Sequence, residues 1–417
     1  MTSNYVKLGS VCEVVSGSTP KSSNAEYWGG NIKWITPAEI SDDSFIITDS
    51  VRHITERAVK ETGLRSFPAD TVILSSRAPI GKTAIAGCEM YCNQGFKNLI
   101  CSQEINSEYL YFFLSGKTEY LNSLGRGATF KEISKTIVEN ILIPLPDVSE
   151  QRYIAGIFKR IDVLRKLHQN CLSSLDKLVK SRFIEMFGDP DINPLNWETD
   201  ELNHHLEVVG GFAFKSDGFT DSGIPVLRIG NINSGYFLPM NMVFWPDTPS
   251  LARYKMYPGD LVMSLTGTVG KDDYGNVCIL SDEYSEYYLN QRNAKLAIKA
   301  TLNKHYLSEL LKFGKIKKRL IGFSRGVRQA NISNRDILAL CVPIPPIELQ
   351  EQFAAFVKQT DKSKFVKGSA YEKELTSTGY HMSVFHCLCM RLCAFPLSEY
   401  FCRAPCRPIR RYHGSNT

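Results

Sequence analysis

The sequence predicts an α+β fold in which two copies of one mixed β domain with short helices are joined by long antiparallel coiled-coil spacer helices. Three observations predict this arrangement. Short motifs recur in the same order about 200 residues apart, which indicates a duplicated domain because solenoid repeats are much shorter. Within each copy, short apolar runs alternate with Gly, Pro, Asn and Asp turns. Each copy then ends at a proline-bounded strand followed by a helical pattern.

The duplication depends on paired motifs that keep their order along the chain. Gly-Arg-Gly at 125–127 corresponds to Ser-Arg-Gly at 324–326, and Gln151 corresponds to Gln350. The other pairs are Ile143–Pro146 with Val342–Pro345, Phe67–Asp70 with Tyr257–Asp260, Gly81-Lys82 with Gly270-Lys271, Asn93-Gln94 with Asn290-Gln291, and Val15–Gly17 with Val209–Gly211. The spacing drifts earlier in the copies, as loops of different length would make it.

The repeat divides the 417 residues into five segments. They are a first domain at 1–146, a central spacer helix at 147–190, a second domain at 191–346, the start of a second spacer helix at 347–364 and a divergent Cys-rich tail at 365–417. Strands are predicted at Thr71–Leu74, Ala84–Ala86, Ile141–Pro146, Asp260–Met263, Asn276–Leu280 and Leu340–Pro346, and helices around Ser107–Leu114 and Asn303–Lys312.

The central spacer is predicted as one helix from Ser149 to Phe187, which Gly188-Asp189-Pro190 ends. Its apolar residues follow the alternating three-four spacing of a coiled-coil seam. The seam residues that we expect to bind a partner helix or subunit are Ile154, Ile157, Ile161, Leu164, Leu175 and Leu178. At 1.5 Å per residue the helix is roughly 58 Å long, between one and two turns of B-DNA. A matching second helix is expected to begin near Glu348.

Composition and charge limit the function. The chain is 43% hydrophobic and 22% charged, as in ordinary soluble globular proteins, and its net charge is +6. Most of that excess lies in the tail after Lys364, so a nucleic-acid site in the remaining chain must be a local patch. No run approaches the roughly 18 apolar residues of a transmembrane helix, and no secretory leader is visible. We therefore expect a cytoplasmic protein.

Catalytic motifs are not evident. The segment Ser76–Thr83 approaches a phosphate-binding loop but lacks its first glycine, and its expected counterpart Leu265–Asp272 also lacks the Mg²⁺-binding hydroxyl. No carboxylate constellation recurs in both copies. The tail cysteines, Cys387 to Cys406, fit zinc-ligand spacing poorly, so we expect no metal.

Basic and amide side chains in the predicted loops are the candidate DNA-binding residues. Arg, Asn and Gln bind base edges, whereas Lys suits phosphates. The candidates are Arg77, Lys82, Asn93, Gln94, Lys97, Arg126 and Lys131 in the first copy, and Arg228, Lys271, Asn290, Gln291, Arg292, Arg325, Arg328 and Asn331 in the second. The alternative for each is an ordinary turn residue, and an Asn-Gln pair can simply satisfy buried backbone groups.

Several motifs resemble one known family. Ser16–Pro20 followed by Glu26–Pro37, the proline boundary with Glu150-Gln151, and the duplicated layout with spacer helices are similar to the specificity subunit of type I restriction-modification enzymes. The resemblance covers residues 5–364 and occurs in the expected order in both copies.

The resemblance implies a non-catalytic DNA-recognition subunit that acts in host defence. Two target-recognition domains would each read one half of a bipartite site in double-stranded DNA. The helical pair would act as a ruler and dock two methyltransferase subunits, and through them the restriction and motor subunits. S-adenosylmethionine, ATP and Mg would bind those partners, and no cofactor would bind this chain.

The tail departs from the family pattern. Family members continue the second spacer helix with a leucine-rich stretch, but here Gly368, Gly379 and Pro396 interrupt any such helix. The alternative function is therefore a truncated or frame-altered specificity subunit that acts as a defective or regulatory methyltransferase-binding protein. A restriction activity within this chain is the least favoured function because catalytic motifs are not evident.

Overall fold

The computed structural model describes residues 4–77, 79–127, 131–268, 271, 273–322 and 329–361. It divides the chain into two compact units, the first ending at Leu167 and the second beginning at His168. Within these residues no helix is both long enough and apolar enough to cross a bilayer.

In the first unit, three sheets have the strand orders β2-β9-β6-β7-β4, β5-β3-β8 and β1-β10. The strands are Tyr5–Lys7 (β1), Cys12–Ser16 (β2), Trp28–Ile35 (β3), Ile46–Ile47 (β4), Arg52–Ile54 (β5), Val72–Leu74 (β6), Thr83–Ala86 (β7), Tyr91–Cys92 (β8), Lys97–Cys101 (β9) and Leu142–Pro144 (β10). The α-helices are Leu8–Val11 (α1), Glu56–Thr62 (α2), Ser107–Ser115 (α3), Thr118–Leu124 (α4), Lys135–Glu139 (α5) and Val148–Phe187 (α6), the last of which continues into the second unit.

In the second unit, the sheet orders are β12-β20-β16-β18, β14-β13-β19-β15, β11-β22 and β17-β21. The strands are Thr199–Glu201 (β11), Leu206–Gly210 (β12), Ile224–Leu227 (β13), Val243–Trp245 (β14), Lys255–Met256 (β15), Leu261–Ser264 (β16), Thr266–Thr268 (β17), Val277–Ile279 (β18), Tyr287–Leu289 (β19), Asn293–Ile298 (β20), Gln329–Asn331 (β21) and Cys341–Pro343 (β22). The α-helices are Lys304–Leu310 (α7), Gly314–Gly322 (α8), Asn334–Leu338 (α9) and residues 347–361 (α10). Short 3-10 helices lie at Ala25–Tyr27, Pro37–Glu39, Leu202–His204, Ser216–Gly218, Ile229–Asn231 and Pro249–Tyr254.

The sheets confirm two copies of one domain. The order β2-β9-β6-β7 of the first unit recurs as β12-β20-β16-β18 in the second. In the smaller sheets, β3 pairs antiparallel with β5 and parallel with β8, and β13 pairs in the same senses with β14 and β19. The predicted strands and helices all occur, with ends that shift by at most three residues.

Two of the motif pairs predicted from the sequence do not occupy equivalent positions in the two copies. Gly81 has φ +93 and donates its N–H to the Ser75 carbonyl at 3.1 Å. In the second unit, Gly275 has φ +67 and donates to Ser264 at 2.8 Å. Gly275-Asn276 therefore occupies the place that the sequence comparison gave to Gly270-Lys271. The loop before it is longer in the second copy, so the short Gly-Lys match lies inside the extra loop residues.

The second shift affects the turn before β6 and β16. Asp70 (φ +64) donates its N–H to Ala86, and Gly259 (φ +84) donates to Leu280, each at 2.8 Å. Asp70 thus corresponds to Gly259 and not to Asp260. Both residues adopt the left-handed conformation that Gly and Asp tolerate in turns.

A buried glutamine fixes the start of α6 to the first domain. Gln151 is fully buried, and its Oε1 accepts the Asn106 N–H at 2.8 Å. Its Nε2 donates to the carbonyls of Glu104 and Pro146, both at 2.9 Å. The Asn106 side chain in turn caps α3 by accepting the Tyr109 N–H at 3.0 Å. One side chain therefore joins the spacer helix, the proline-bounded strand and the N-terminus of α3.

The second unit repeats this arrangement. Gln350, also fully buried, accepts the Asn303 N–H at 2.8 Å and donates to Pro345 at 2.7 Å and to Thr301 at 3.5 Å. Asn303 caps α7 through the His305 N–H at 2.9 Å. The repeated Gln of the sequence thus holds α10 as Gln151 holds α6.

Aromatic side chains join α6 and α10 within the second unit. The Phe183 ring, fully buried, lies 5.3 Å from Tyr306 and 5.5 Å from Phe353 of α10. Phe187 also contacts Phe353 at 5.6 Å, and the Arg182 guanidinium lies 5.9 Å from the Phe356 ring. Residues later in α10 meet residues earlier in α6, so the two helices run antiparallel as predicted.

The predicted seam of α6 is buried unevenly. Ile154 is buried, Ile157, Ile161, Leu164 and Leu175 are half-buried, and Leu178 is 49% exposed. Val163 and Leu167 on the same helix are also exposed. Apolar surface along α6 thus remains open to solvent, while the predicted remainder of the second spacer helix and the tail lie outside the described residues.

Candidate nucleic-acid interface

The Asn-Gln loop of the first unit follows the carboxyl ends of the parallel strands β3 and β8. Asn93 donates its N–H to the Ile35 carbonyl at 3.1 Å, and its Oδ1 accepts the Gly95 N–H at 2.9 Å. Asn93 is half-buried and closes the loop, whereas Gln94 at the tip is exposed. The Gln94 Oε1 accepts a hydrogen bond from the Thr19 hydroxyl. The loop thus presents one oriented amide to solvent.

A repeated glycine explains the second shared motif. A Cβ on Gly17 would lie 2.2 Å from the Asn93 carbonyl oxygen, and a Cβ on Gly211 would lie 2.1 Å from the Asn290 carbonyl oxygen. Only glycine allows the two backbones to approach this closely. The repeated Gly and the repeated Asn-Gln are therefore two sides of one contact.

Arg77, Lys97 and Glu132 form an ionic cluster beside this loop. The Ser76 N–H donates to Gly95 at 2.7 Å, which places Arg77 next to the loop. The Glu132 carboxylate binds Arg77 at 2.9 Å and Lys97 at 3.3 Å. Burial alone would raise the pKa of Glu132, but the hydrogen bonds from these two cations outweigh it and lower the pKa. Glu132 is therefore ionised and holds both cations in place.

The cations of the cluster differ in access to solvent. The Lys97 side chain is only 7% exposed, whereas that of Arg77 is 48% exposed. Arg126 exchanges backbone hydrogen bonds with Glu132 at 2.9 and 3.0 Å, and the side chains of Arg126 and Lys131 are exposed. Lys97 therefore has a structural role inside the domain, whereas Arg77, Arg126 and Lys131 are exposed enough to reach a ligand.

Lys82 has a backbone partner. Its Nζ donates to the Ile40 carbonyl at 2.6 Å, and its own N–H donates to the Ser75 hydroxyl at 2.9 Å. The residue is half-buried in the turn between β6 and β7. A phosphate contact by Lys82 would have to compete with this bond.

The second unit assembles an equivalent edge. Gln291 donates its N–H to Phe212 at 2.9 Å, and Asn290 Oδ1 accepts the Arg292 N–H at 3.3 Å. Leu265 donates to the Arg292 carbonyl at 2.8 Å, as Ser76 does to Gly95. The side chains of Gln291 and Arg292 are exposed, and Asn290 is half-buried like Asn93.

The remaining candidates of the second unit lie around this loop. Arg228 follows the end of β13, parallel to the strand that precedes Asn290, and its guanidinium donates to the Asn241 carbonyl. Exposed Asn331 pairs with Thr266 across β17 and β21, and exposed Lys271 lies in the loop that follows. Arg325 and Arg328 lie outside the described residues.

Two residues that the sequence search missed contact the candidates directly. Thr19 binds Gln94, and Glu132 binds Arg77 and Lys97. A search for features shared by both copies could not select Glu132, because hydrogen bonds from Ile133 to Ser76 and from Ile332 to Leu265, both 2.9 Å, make Asn331 its counterpart. Within the described ranges, no group of three or more His, Cys, Asp or Glu residues is placed to hold a metal ion.

The fold and the two loop edges define a protein with two copies of one mixed domain, each followed by a helix. A sequence profile of the type I restriction modification DNA specificity domain matches residues 2–177 and 194–370, which coincide with the two copies. The chain belongs to this family.

Individual relatives agree with the family. The type I restriction enzyme MjaIX specificity subunit of Methanocaldococcus jannaschii is 36% identical over 249 residues, covering 55% of this chain and 58% of that protein. The MjaVIII specificity subunit of the same organism is 29% identical over 285 residues, covering 64% of this chain and 66% of that protein. The aligned parts thus span less than two thirds of either relative.

Among solved structures, the crystal structure of a type I restriction-modification system S subunit from M. genitalium is similar in fold. It has a TM-score of 0.52 and 15% sequence identity, and the likeness covers 95% of this chain and 97% of that one.

Proposed function

We propose that the chain is the sequence-specific DNA-recognition subunit of a type I restriction-modification complex. Each domain reads one half of a bipartite site in double-stranded DNA through its loop edge. The chain itself catalyses no reaction. S-adenosylmethionine, ATP and Mg belong to the partner subunits, and no cofactor binds this chain.

One observation carries this proposal. Both units build the same loop with the same contacts: a glycine packed against an Asn-Gln backbone, and an Asn side chain that closes the turn. In each unit this frame holds an exposed Gln beside exposed Arg side chains. Gln and Arg are the residues that bind adenine and guanine edges with two hydrogen bonds.

The spacer helices are proposed to dock two methyltransferase subunits, and through them the restriction and motor subunits. Exposed Val163, Leu167 and Leu178 of α6 offer apolar surface for this contact. The partly buried seam from Ile157 to Leu175 would support it.

Methylation mapping tests DNA recognition. The chain is co-expressed with its methyltransferase, and methylated adenines are mapped across a genome. Gln94→Ala is expected to relax the recognised sequence in one half-site only, and Gln291→Ala in the other, as are Arg77→Ala and Arg328→Ala respectively. If Gln94→Ala changed the half-site that Gln291→Ala changes, the two-module reading would be wrong.

Lysine variants separate affinity from specificity. Lys271→Ala and Lys82→Ala are expected to weaken binding to all sequences and to reduce its salt dependence. Because Lys82 also bonds to Ile40, its variant should in addition lower the stability of the first unit. A changed motif in Lys271→Ala would contradict the phosphate role.

A defective or regulatory methyltransferase-binding protein remains the second candidate, and the residues after Lys364 favour it. The sequence there contains Gly368, Gly379 and Pro396, residue types that disfavour a continued helix. The stoichiometry of the purified complex discriminates between the two functions. Two methyltransferase subunits per chain support the recognition subunit, and one supports the defective or regulatory form.

A further inference from the structure

A dense group of cations lies at the start of α8 and along it in the second unit. Lys312, Lys315, Lys317, Lys318 and Arg319 occur within eight residues that contain no acid, in a chain whose total net charge is only +6. All but Lys312 lie on α8. This group is a local basic patch of the kind that a nearly neutral DNA-binding protein needs.

The helical repeat places most of these cations on one face. At 3.6 residues per turn, Lys315, Lys318 and Arg319 of α8 project from the same side, and the opposite side is buried in the core. Lys312 pairs with Glu309 at 2.5 Å, and Arg319 donates to the Cys341 carbonyl at 2.9 Å. The exposed ammonium groups of Lys315 and Lys318 have no hydrogen-bond or ion-pair partner within the described part of the chain.

Contacts place α8 beside the loop between β17 and β18, which carries the candidate residue Lys271. The Lys317 Nζ donates to Asn276 Oδ1 at 2.7 Å, at the end of the loop that carries Lys271. Side-chain atoms of Leu320 and Ile321 lie 3.7 and 3.8 Å from the position that a Cβ on Gly275 would occupy. The C-terminal half of α8 therefore packs on the end of the loop between β17 and β18.

The other end of α8 is also fixed. The Asp191 carboxylate accepts the N–H groups of Lys315 at 3.3 Å and Ile316 at 3.1 Å, which caps the helix and matches its dipole. A helix held at both ends presents its cations from a fixed backbone, so only their side chains must become ordered when they bind a ligand.

The first unit shows that the fold does not need this charge. Its corresponding helix, α4, has the sequence TEYLNSL, with Glu119 and no cation. The preceding Lys117 lies over the Phe113 ring at 5.0 Å. The basic face is therefore a property of the second copy alone.

We infer that this basic face of α8, formed by Lys315, Lys318 and Arg319, binds the DNA phosphate backbone beside the second half-site. The inference rests on the proposed DNA-recognition function and adds a contact that is independent of sequence. The free ammonium groups of Lys315 and Lys318 fit phosphates, which Lys binds as a point charge. The second domain thus gains a phosphate contact that α4 of the first domain does not offer.

The salt dependence of binding tests the inference. The chain with its methyltransferase is titrated with duplex DNA of random sequence and with DNA containing the mapped motif. Each phosphate contact adds about 0.9 to the slope of log affinity against log salt concentration. Lys315→Ala/Lys318→Ala is expected to lower the slope by about 1.8 on both DNAs. Its loss of affinity relative to the wild type should therefore shrink about twelvefold between 50 and 200 mM salt. The methylated motif should not change.

Two further variants serve as controls. Lys60→Ala/Lys299→Ala removes the same amount of charge from other places. Lys60 lies on α2, and Lys299 follows the end of β20, the end opposite the Asn290 loop. The slope of this variant should equal that of the wild type. Lys315→Arg/Lys318→Arg keeps the charge and should keep the slope.

The outcomes separate this inference from the proposed function. An unchanged slope in Lys315→Ala/Lys318→Ala overturns the inference even if the wild type methylates a bipartite motif. Loss of methyltransferase from the purified complex with an unchanged slope also overturns it and shows that the face binds an acidic protein surface. Absence of any methylated motif refutes the proposed function instead, because the slope on random DNA does not depend on a motif.

Discussion

The buried glutamine at the start of α6 offers the sharpest test of how the spacer helix is held. Gln151→Ala removes one acceptor and two donor bonds, and strands the Asn106 N–H and the carbonyls of Glu104 and Pro146. Each such bond contributes about 1 kcal/mol net, so the variant should lower the free energy of unfolding of the first unit by about 3 kcal/mol.

Gln151→Glu separates the two functions of this side chain. A carboxylate can still accept the Asn106 N–H, but it cannot donate, and it would face the carbonyl oxygens of Glu104 and Pro146. We therefore expect Gln151→Glu to be at least as unstable as Gln151→Ala at neutral pH. A variant as stable as the wild type would show that the two donor bonds contribute nothing.

The assay must report on the two units separately, because two compact units need not unfold in one transition. Hydrogen exchange as a function of urea, followed by mass spectrometry, gives an opening free energy for peptides of each unit. Peptides around Asn106 should lose protection in Gln151→Ala, and peptides around Asn303 should lose protection in Gln350→Ala.

Exposed Gln103 is the matched control, and Gln103→Ala should change stability by no more than about 0.5 kcal/mol. The reasoning fails if Gln151→Ala loses less than about 1 kcal/mol, or if it destabilises peptides of the second unit equally.

Three further predictions follow from packing and charge. Gly156→Ala should stabilise α6 by about 1 kcal/mol, because no atom lies within 4 Å of the added Cβ, and thermal unfolding of the first unit would show it; a loss of stability would contradict the open site. Phe183→Ala should cost about 3–5 kcal/mol and release α10 in hydrogen exchange, whereas Ile184→Ala, 41% exposed, should cost under about 1 kcal/mol. Burial and two nearby lysines lower the pKa of His305 to about 4. The unfolded chain therefore takes up a proton below about pH 6.5 that the folded unit excludes, so stability falls from that pH towards 4 by at most about 1.4 kcal/mol per pH unit, and His305→Gln should flatten urea-unfolding data in this window.

Much of the fold could be predicted because local physics determines it. The three-four apolar spacing and the Gly188-Asp189-Pro190 stop predicted a helix from Ser149 to Phe187, and the structure has one at Val148–Phe187 with Gly188 at φ +78. The proline-bounded strands that end each copy could be predicted for the same reason. Each depends on residues near one another in sequence.

Loop correspondence could not be predicted in the same way. Gly81 and Gly275 are equivalent because each bonds across its own hairpin, to Ser75 and Ser264. The two hairpins have loops of different length, and the extra residues between β17 and β18 hide the equivalence from a comparison of short motifs. The match with Gly270-Lys271 looked better in sequence than the true one.

The candidate site shows a similar limit. Residue type alone cannot distinguish Lys97, which is buried against Glu132, from Arg77, which shares that carboxylate but is exposed. Nor can it show that Thr19 orients Gln94, because the two residues are far apart in sequence. Exposure and partners come from the sheet pairing that brings these loops together.

The two copies share a frame and differ in what the frame presents. Gly17 and Gly211 make the same close backbone contact, whereas Arg77 and Glu132 correspond to Thr266 and Asn331. The arginine–carboxylate pair of the first copy is thus replaced by two neutral hydrogen-bonding side chains in the second. Hydrogen-bonding groups of different type and charge select different base edges. Under the proposed function, a duplicated domain that kept its loop backbone and changed these side chains would therefore read two different half-sites, as an asymmetric bipartite site requires.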